Sequence, residues 1–238
     1  MLGVVAVAAI IAGGIASFAG FGIGSVLTPA LASQVAASVA VACVSIPHLV
    51  ATSLRLWIVR EHIDYQILRS FGAMSAVGGL AGAAVGTMVS ARWLEIVLAA
   101  LLLFVGIGHL LGWTKRMKFA GPAAWIAGGV SGLLGGLVGN QGGLRAGAMT
   151  GIGVSRDAFV ATATATGLIV DLARMPVYFT AYWSEIFENW PWVATMTAGV
   201  IVGTLIGMKV LRRIPEDRFM TVVSVLLVVL GIWLLAKG

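Results

Sequence analysis

Two glycine-rich segments interrupt long apolar stretches and carry side chains that could bind a ligand. The residues are Gly22, Gly24, Ser25 and Thr28 in the first segment, and Asn140, Gln141, Gly142, Gly143 and Arg145 in the second. Glycine permits positive φ and close approach of the backbone to a ligand, while the hydroxyl, amide and guanidinium groups donate hydrogen bonds. We interpret both segments as parts of one substrate site. A polar turn that caps two helices is the alternative, and Arg145 either neutralises an anion or snorkels to the interface.

A second set of polar residues lies within the apolar stretches that follow these segments. Asp171 and Arg174 are three residues apart and share a helix face. They form either a self-neutralising pair or a site where Arg174 binds an anion and Asp171 orients it or takes a proton. Thr166 precedes them as a candidate substrate ligand. His48 is a candidate proton site or a core histidine, and Arg55 is expected to snorkel from its helix end.

The composition requires that these residues be held by membrane helices. Of 238 residues, 60% are hydrophobic and 10% are charged, and the mean hydropathy is +1.03. In hydrocarbon the backbone must satisfy its own hydrogen bonds, which predicts an all-α polytopic protein. The net charge of +6 comes from short clusters that flank apolar runs, which indicates membrane topology and no nucleic-acid partner. The single Cys43 argues against disulfides and cysteine-ligated metals, and we predict no metal site.

The chain has the pattern of a duplication. Gly78, Gly82 and Gly86 recur at a constant offset as Gly199, Gly203 and Gly207, and glycine at every fourth position favours close packing of helices. We predict repeat 1 over 1–113 and repeat 2 over 122–238, joined by a basic cytoplasmic linker, 114–121. Each repeat has a glycine-broken hairpin and three transmembrane helices: 2–33, 39–59, 67–90 and 93–112 in the first, and 122–150, 156–183, 190–211 and 217–236 in the second.

The basic residues choose between two topologies. If the segments 2–33 and 122–150 each cross once, there are eight simple transmembrane helices and the basic residues divide six against five. If both segments re-enter, the repeats are inverted and the division is nine against two. The larger set is then Arg60, Arg69, Lys115, Arg116, Lys118, Arg156, Arg212, Arg213 and Arg218, against Arg92 and Lys237. We therefore predict inverted repeats with cytoplasmic basic loops, periplasmic termini and an acidic periplasmic loop at 184–188.

The sequence resembles the TauE/SafE family of sulfite and organosulfonate exporters. The resemblance rests on residues 128–135, Gly142 and Gly143, 159–165 and 171–178 in the second half, and on 13–24 with Pro29 in the first. It covers essentially the whole chain. It implies a transporter of the bacterial inner membrane that exports a small sulfur-containing anion, such as sulfite, sulfoacetate or a related sulfonate, without a cofactor.

Inverted repeats with broken helices place a substrate site near the bilayer midplane, so we expect the two hairpins to meet there. Moving one elementary charge through 100 mV is worth ~2.3 kcal/mol, so an anion leaves a negative cytoplasm without coupling; proton coupling through Asp171 or His48 is the alternative. An anion channel, a carrier of another oxyanion or carboxylate, and a membrane scaffold subunit are further alternatives. An intramembrane hydrolase would need Ser25 beside His48 or His109. The sequence is compatible with a homodimer.

Overall fold

The computed structural model describes residues 2–20, 22–113, 122–140, 142, 145, 155–210 and 216–237. The described residues form helices and the turns between them, with no strand among them. The described residues include the helices α1 Leu2–Ala19, α2 Ile23–Ala32, α3 Ala37–Val59, α4 Tyr65–Gly86, α5 Ala91–Leu110, α6 Pro122–Val138, α7 Arg156–Glu188, α8 Trp190–Val210 and α9 Glu216–Lys237. A short 3-10 helix, Arg60–His62, follows α3.

Five of these helices are long and apolar enough to cross a bilayer, namely α3, α4, α5, α7 and α8. Their most apolar windows have mean hydropathies between 1.2 and 2.1, as expected for segments whose solvent is lipid. Helices α1, α2 and α6, and the described apolar part of α9, are shorter apolar helices. The predicted fold class, an all-α polytopic membrane protein, is confirmed.

Capping side chains set the starts of two helices. The Asp64 carboxylate accepts from the amides of Gln66 and Ile67 at the start of α4, and the Ser155 hydroxyl accepts from Ala158 N at the start of α7. The prediction that helix α7 ends at 183, before an acidic loop at 184–188, is wrong. The chain instead bends at Tyr182, whose φ of −132° is not helical, and continues as helix to Glu188. The acidic segment is therefore helical.

We call Gly78, Gly82 and Gly86, and likewise Gly199, Gly203 and Gly207, the two glycine ladders. Each ladder packs a helix of one half against the first helix of the other half. Helix α8 lies on α1, and α4 lies on α6, at distances where a side chain on several ladder glycines would collide with the neighbouring backbone. The contacts pair Gly199 with Ala9, Gly203 with Ile10 and Gly207 with Gly14, and in the second pair Gly78 with Gly129 and Gly82 with Leu133. Residue numbers rise together in both pairs, so the helices of each pair run parallel.

The central helices of the two halves run antiparallel. Along α3 and α7, Ser45 lies beside Met175, His48 beside Asp171 and Arg55 beside Thr164. Helices α5 and α9 also run antiparallel, because Gly106 packs on Ser224 while Gly231 packs on Ala99. The α3–α7 pair carries most of the buried polar residues, so it forms the scaffold of the site.

Candidate functional site

The helices α1 and α6 end in the same way, inside the protein. Gly20 and Gly139 follow their last turns with φ of 76° and 70°, a left-handed conformation that terminates a helix and favours glycine. Their amides donate to Ala16 O and Gly135 O, each at 3.0 Å. The two glycines lie 119 positions apart in the sequence, as do the two carbonyl acceptors. Each half thus contains a broken helix whose C-terminal carbonyls face the interior.

A buried arginine binds each of these helix ends. Arg55 Nη1 donates to Ala16 O at 2.6 Å, and Arg174 Nη1 donates to Gly135 O at 2.5 Å. Both side chains are 2% exposed, and the two arginines are again 119 positions apart. The expectation that Arg55 snorkels is therefore wrong. The carbonyls at the end of α1, together with Thr164, offer acceptors within the protein, so the guanidinium is satisfied without reaching water.

Arg145 reaches the same end of α1 from the second half. Its Nη2 donates to Gly20 O at 3.2 Å, and the residue is 2% exposed, which contradicts the snorkelling alternative. Its Nη1 lies beside α7, where a Cβ on Gly167 would be 3.0 Å away. This nitrogen is buried and finds no hydrogen-bond partner within the described part of the chain. A buried donor on a charged group is costly to leave unpaired, so this atom is available to an acceptor that the described residues do not supply.

Asp171 joins the two central helices. Its carboxylate accepts from Arg174 Nη2 at 2.7 Å, and its other oxygen lies 2.6 Å from His48 Nδ1. Asp171 is fully buried, and the Thr52 hydroxyl lies 3.4 Å from the same His48 nitrogen. The structure therefore contains the self-neutralising Asp171–Arg174 pair. It also adds His48 as a second partner of the carboxylate, because α3 and α7 are antiparallel at this level.

The two glycine-broken segments meet at the start of α2. Ser25 Oγ donates to Asn140 Oδ1 at 2.9 Å, and a Cβ on Gly24 would collide with Gly139 O. Gly22 precedes α2 with φ of 134°, and no side chain among the described residues caps this helix start, so its first amides lack the partners that a helix interior provides. The sequence-predicted residues Gly22, Gly24, Ser25 and Asn140 are therefore brought together.

Other predicted residues lie around this contact or apart from it. Thr28 is buried next to Gly139, and its hydroxyl has no partner among the described residues. Gly142 is buried, whereas Gln141 and Gly143 lie outside the described residues. Thr166 is buried against Gly72 of α4, on the far side of α7 from Arg55. Ser25 binds Asn140 and His48 binds Asp171. Ser25 is therefore not paired with His48, as the intramembrane-hydrolase alternative requires.

Positive charge exceeds negative charge in this buried region. Among the described residues, the buried charged side chains are Arg55, Arg145 and Arg174 against Asp171, an excess of two with His48 neutral. The C-termini of α1 and α6 each act as roughly −0.5 of an elementary charge, so together they offset about one of the two excess positive charges. The remainder stays uncompensated in a region where unpaired charge is expensive. An anion bound here would compensate it.

These features define a polytopic helical membrane protein with broken helices around a buried cationic site. The family model for the sulfite exporter TauE/SafE matches residues 5–234, nearly the whole chain. The protein therefore belongs to the TauE/SafE sulfite exporter family, a family of membrane transporters. Searches of curated proteins and of solved structures gave no significant match.

Proposed function

We propose that this protein exports a small sulfur-containing oxyanion, either sulfite or a short sulfonate such as sulfoacetate, from a bacterial cell. The site would lie between the two broken helices, near the midplane of the cytoplasmic membrane. The observation that carries this proposal is the buried excess of positive charge, with Arg145 Nη1 left without a protein acceptor among the described residues. Family membership supports the class of substrate.

The start of α2 supports an anion at this position. Its first turn, which no described side chain caps, contains Gly24 and Ser25, and free amides at a helix start attract negative charge. Arg145 lies close by, because its contact Gly20 is only two residues before Gly22. A planar guanidinium and a helix N-terminus together match the several acceptor oxygens of a sulfite or sulfonate group.

The directions of the helices support inverted repeats. α3 and α7, which hold corresponding places in the two halves, run antiparallel. Helices α6 and α7 run in the same direction, since Ala127 packs near Ala163 and Gly136 accepts from Tyr178 further along. Two ordinary successive crossings would be antiparallel, so a re-entrant second hairpin fits better than eight simple crossings. By the basic residues, we place the loops cytoplasmic and both termini periplasmic.

Cysteine labelling in cells tests this topology with one pair of positions. Glu61 and Glu188 are both exposed at helix ends. Inverted repeats put them on opposite sides of the membrane, whereas eight simple crossings put them on the same side. In a Cys43→Ala background, an impermeant maleimide should label Glu188→Cys in intact cells and Glu61→Cys only after permeabilisation. Equal labelling of both in intact cells would contradict inverted repeats.

Flux in proteoliposomes tests the function itself. Radiolabelled sulfite and sulfoacetate are supplied to wild type, Arg145→Gln and Arg145→Lys, with Arg60→Gln as the control because Arg60 is exposed over the Trp57 ring. We expect saturable flux in wild type and Arg60→Gln, loss in Arg145→Gln, and a raised KM in Arg145→Lys. Non-saturable flux would indicate a channel. No flux in folded protein, under imposed potential and pH gradients, would refute the proposal.

The same vesicles test proton coupling. We propose Asp171 and His48 as the buried groups that carry the proton. The Asp171 carboxylate contacts both His48 and the buried Arg174. If the pair carries the proton, an imposed pH gradient changes the rate of wild type and leaves Asp171→Asn unaffected. Flux that is insensitive to the gradient in both would indicate uniport driven by the membrane potential.

A further inference from the structure

We propose that Arg55 is a positioning residue for the anion site: it holds the broken end of α1, and that end in turn orients Arg145. This inference rests on the proposed function, because it names a residue that sets the affinity of that site. Arg55 lies on α3, whereas Arg145 belongs to the second half of the chain. The link between them is the last turn of α1.

A continuous series of hydrogen bonds connects the two arginines. Arg55 Nη1 donates to Ala16 O at 2.6 Å, Gly20 N donates to the same oxygen at 3.0 Å, and Arg145 Nη2 donates to Gly20 O at 3.2 Å. Ala16 and Gly20 are thus the first and last residues of one helical turn. Movement of this turn would move the acceptor that fixes the Arg145 guanidinium, and with it the unpartnered Nη1.

The geometry assigns positioning to Arg55 and binding to Arg145. Arg55 already uses Nε on Thr164 Oγ1 at 2.9 Å and Nη1 on Ala16 O. Two donors of one rigid planar group are therefore committed to protein acceptors on α7 and α1, which fixes the orientation of the guanidinium. Arg145 commits Nη2 and retains a buried Nη1 without a partner among the described residues.

The break in α1 is where such an anchor is needed. Contacts between α1 and the glycine ladder of α8 extend as far as Ser17, beside Gly207. Beyond Ser17 the helix ends at Gly20, whose left-handed backbone leaves carbonyls without helical donors. Arg55 supplies a donor to this last turn from the central helix pair, so the broken end is tied to α3 and α7 through Thr164.

A double-mutant cycle on the KM for sulfite tests the inference. Arg55→Gln should raise KM about tenfold and change Vmax less than about twofold, since an interaction that acts through affinity alters KM alone. Arg55→Lys should not restore KM, because an ammonium cannot span both acceptors. Thr164→Val should raise KM about threefold, since it frees Nε only. In an Arg145→Lys background, where Nη2 is absent, Arg55→Gln should add less than about twofold. Arg60→Gln is the matched control.

Additive effects on KM would overturn the inference, since they would mean that Arg55 acts on the anion independently of Arg145. A wild-type KM in both Arg55→Gln and Thr164→Val would do the same. Should wild type show no saturable flux, the proposed function fails first. The unfolding temperature in detergent without substrate then decides: the losses in Arg55→Gln and Arg145→Gln should be clearly less than additive in the double variant, and additive losses would refute the link.

Discussion

The broken ends of α1 and α6 are built alike but neutralised differently. At α6, Arg174 binds Gly135 O and also the carboxylate of Asp171, three residues before it. At α1, Arg55 binds Ala16 O, and the residue three before it is Thr52, a hydroxyl. Arg145 adds a second guanidinium at α1. The excess positive charge therefore lies at the end of α1, which is where an anion would be held.

Removal of the carboxylate at the α6 end should have the largest effect on stability. In Asp171→Asn, the buried Arg174 loses its charged partner, and one of the two oxygens that contact Arg174 and His48 is replaced by an NH2 group. Breaking a buried ion pair in this way costs about 3–5 kcal/mol. Thermal unfolding in detergent should show a large fall for Asp171→Asn and a small one for Thr52→Asn at the matching position. Equal falls would mean that the ends of α1 and α6 are neutralised alike, which would contradict the difference described above.

The glycine ladders should respond equally in the two halves. A Cβ on Gly82 would collide with Leu133 O, and one on Gly203 with Ile10 O. Forcing the helices apart in Gly82→Ala or Gly203→Ala should cost about 1–3 kcal/mol in either case. Gly3→Ala is the control, because nothing lies within 4 Å of a Cβ there. Unfolding temperatures that fall for one ladder only would show that the halves differ in packing as well as in charge.

A carboxylate introduced at the α1 end should make it resemble the α6 end. Thr52→Asp places an acid three residues before Arg55, where its charge would offset part of the excess. If that excess binds the anion, the KM for sulfite should rise about tenfold, equivalent to about 1.4 kcal/mol of binding. Thr52→Asn keeps the shape without the charge and should change KM much less. An unchanged KM in folded Thr52→Asp would place the anion elsewhere.

The sequence predicted the helices and the packing role of the glycines, because both depend on local patterns. Apolar length and the four-residue spacing of glycine are readable without tertiary structure. The contacts of Arg55 could not be predicted in this way, because its acceptors, Ala16 O and Thr164, come from two other helices. Its distance from the helix end suggested snorkelling, which is the usual outcome when no internal acceptor is present.

One signal could have identified Arg55. The ladders are offset by 121 residues, which would align Gly20 with Gln141. In the structure, Gly20 corresponds instead to Gly139, since both end a helix with positive φ. At that offset of 119, Arg55 aligns with Arg174. Glycine is too frequent in this chain, at 32 residues, to fix the alignment by itself, whereas a buried arginine is rare.

The smallest effects should come from two hydroxyls of α2 that differ in their partners. Ser25 Oγ donates to Asn140, whereas Thr28 Oγ1 is buried without a partner among the described residues. Without substrate, Ser25→Ala should cost about 1 kcal/mol of stability, and Thr28→Val should cost nothing or stabilise slightly, because an unsatisfied buried hydroxyl is unfavourable.

The change in unfolding temperature on adding sulfite distinguishes two roles for Thr28. If the hydroxyl donates to the anion, the rise in unfolding temperature on adding sulfite should be smaller in Thr28→Val than in wild type, although the variant is no less stable without it. If the rise is unchanged, Thr28 only lines the space beside Gly139. In that case Arg145 and the start of α2 hold the anion without this side chain, and the anion lies nearer to Gly20 than to Gly139.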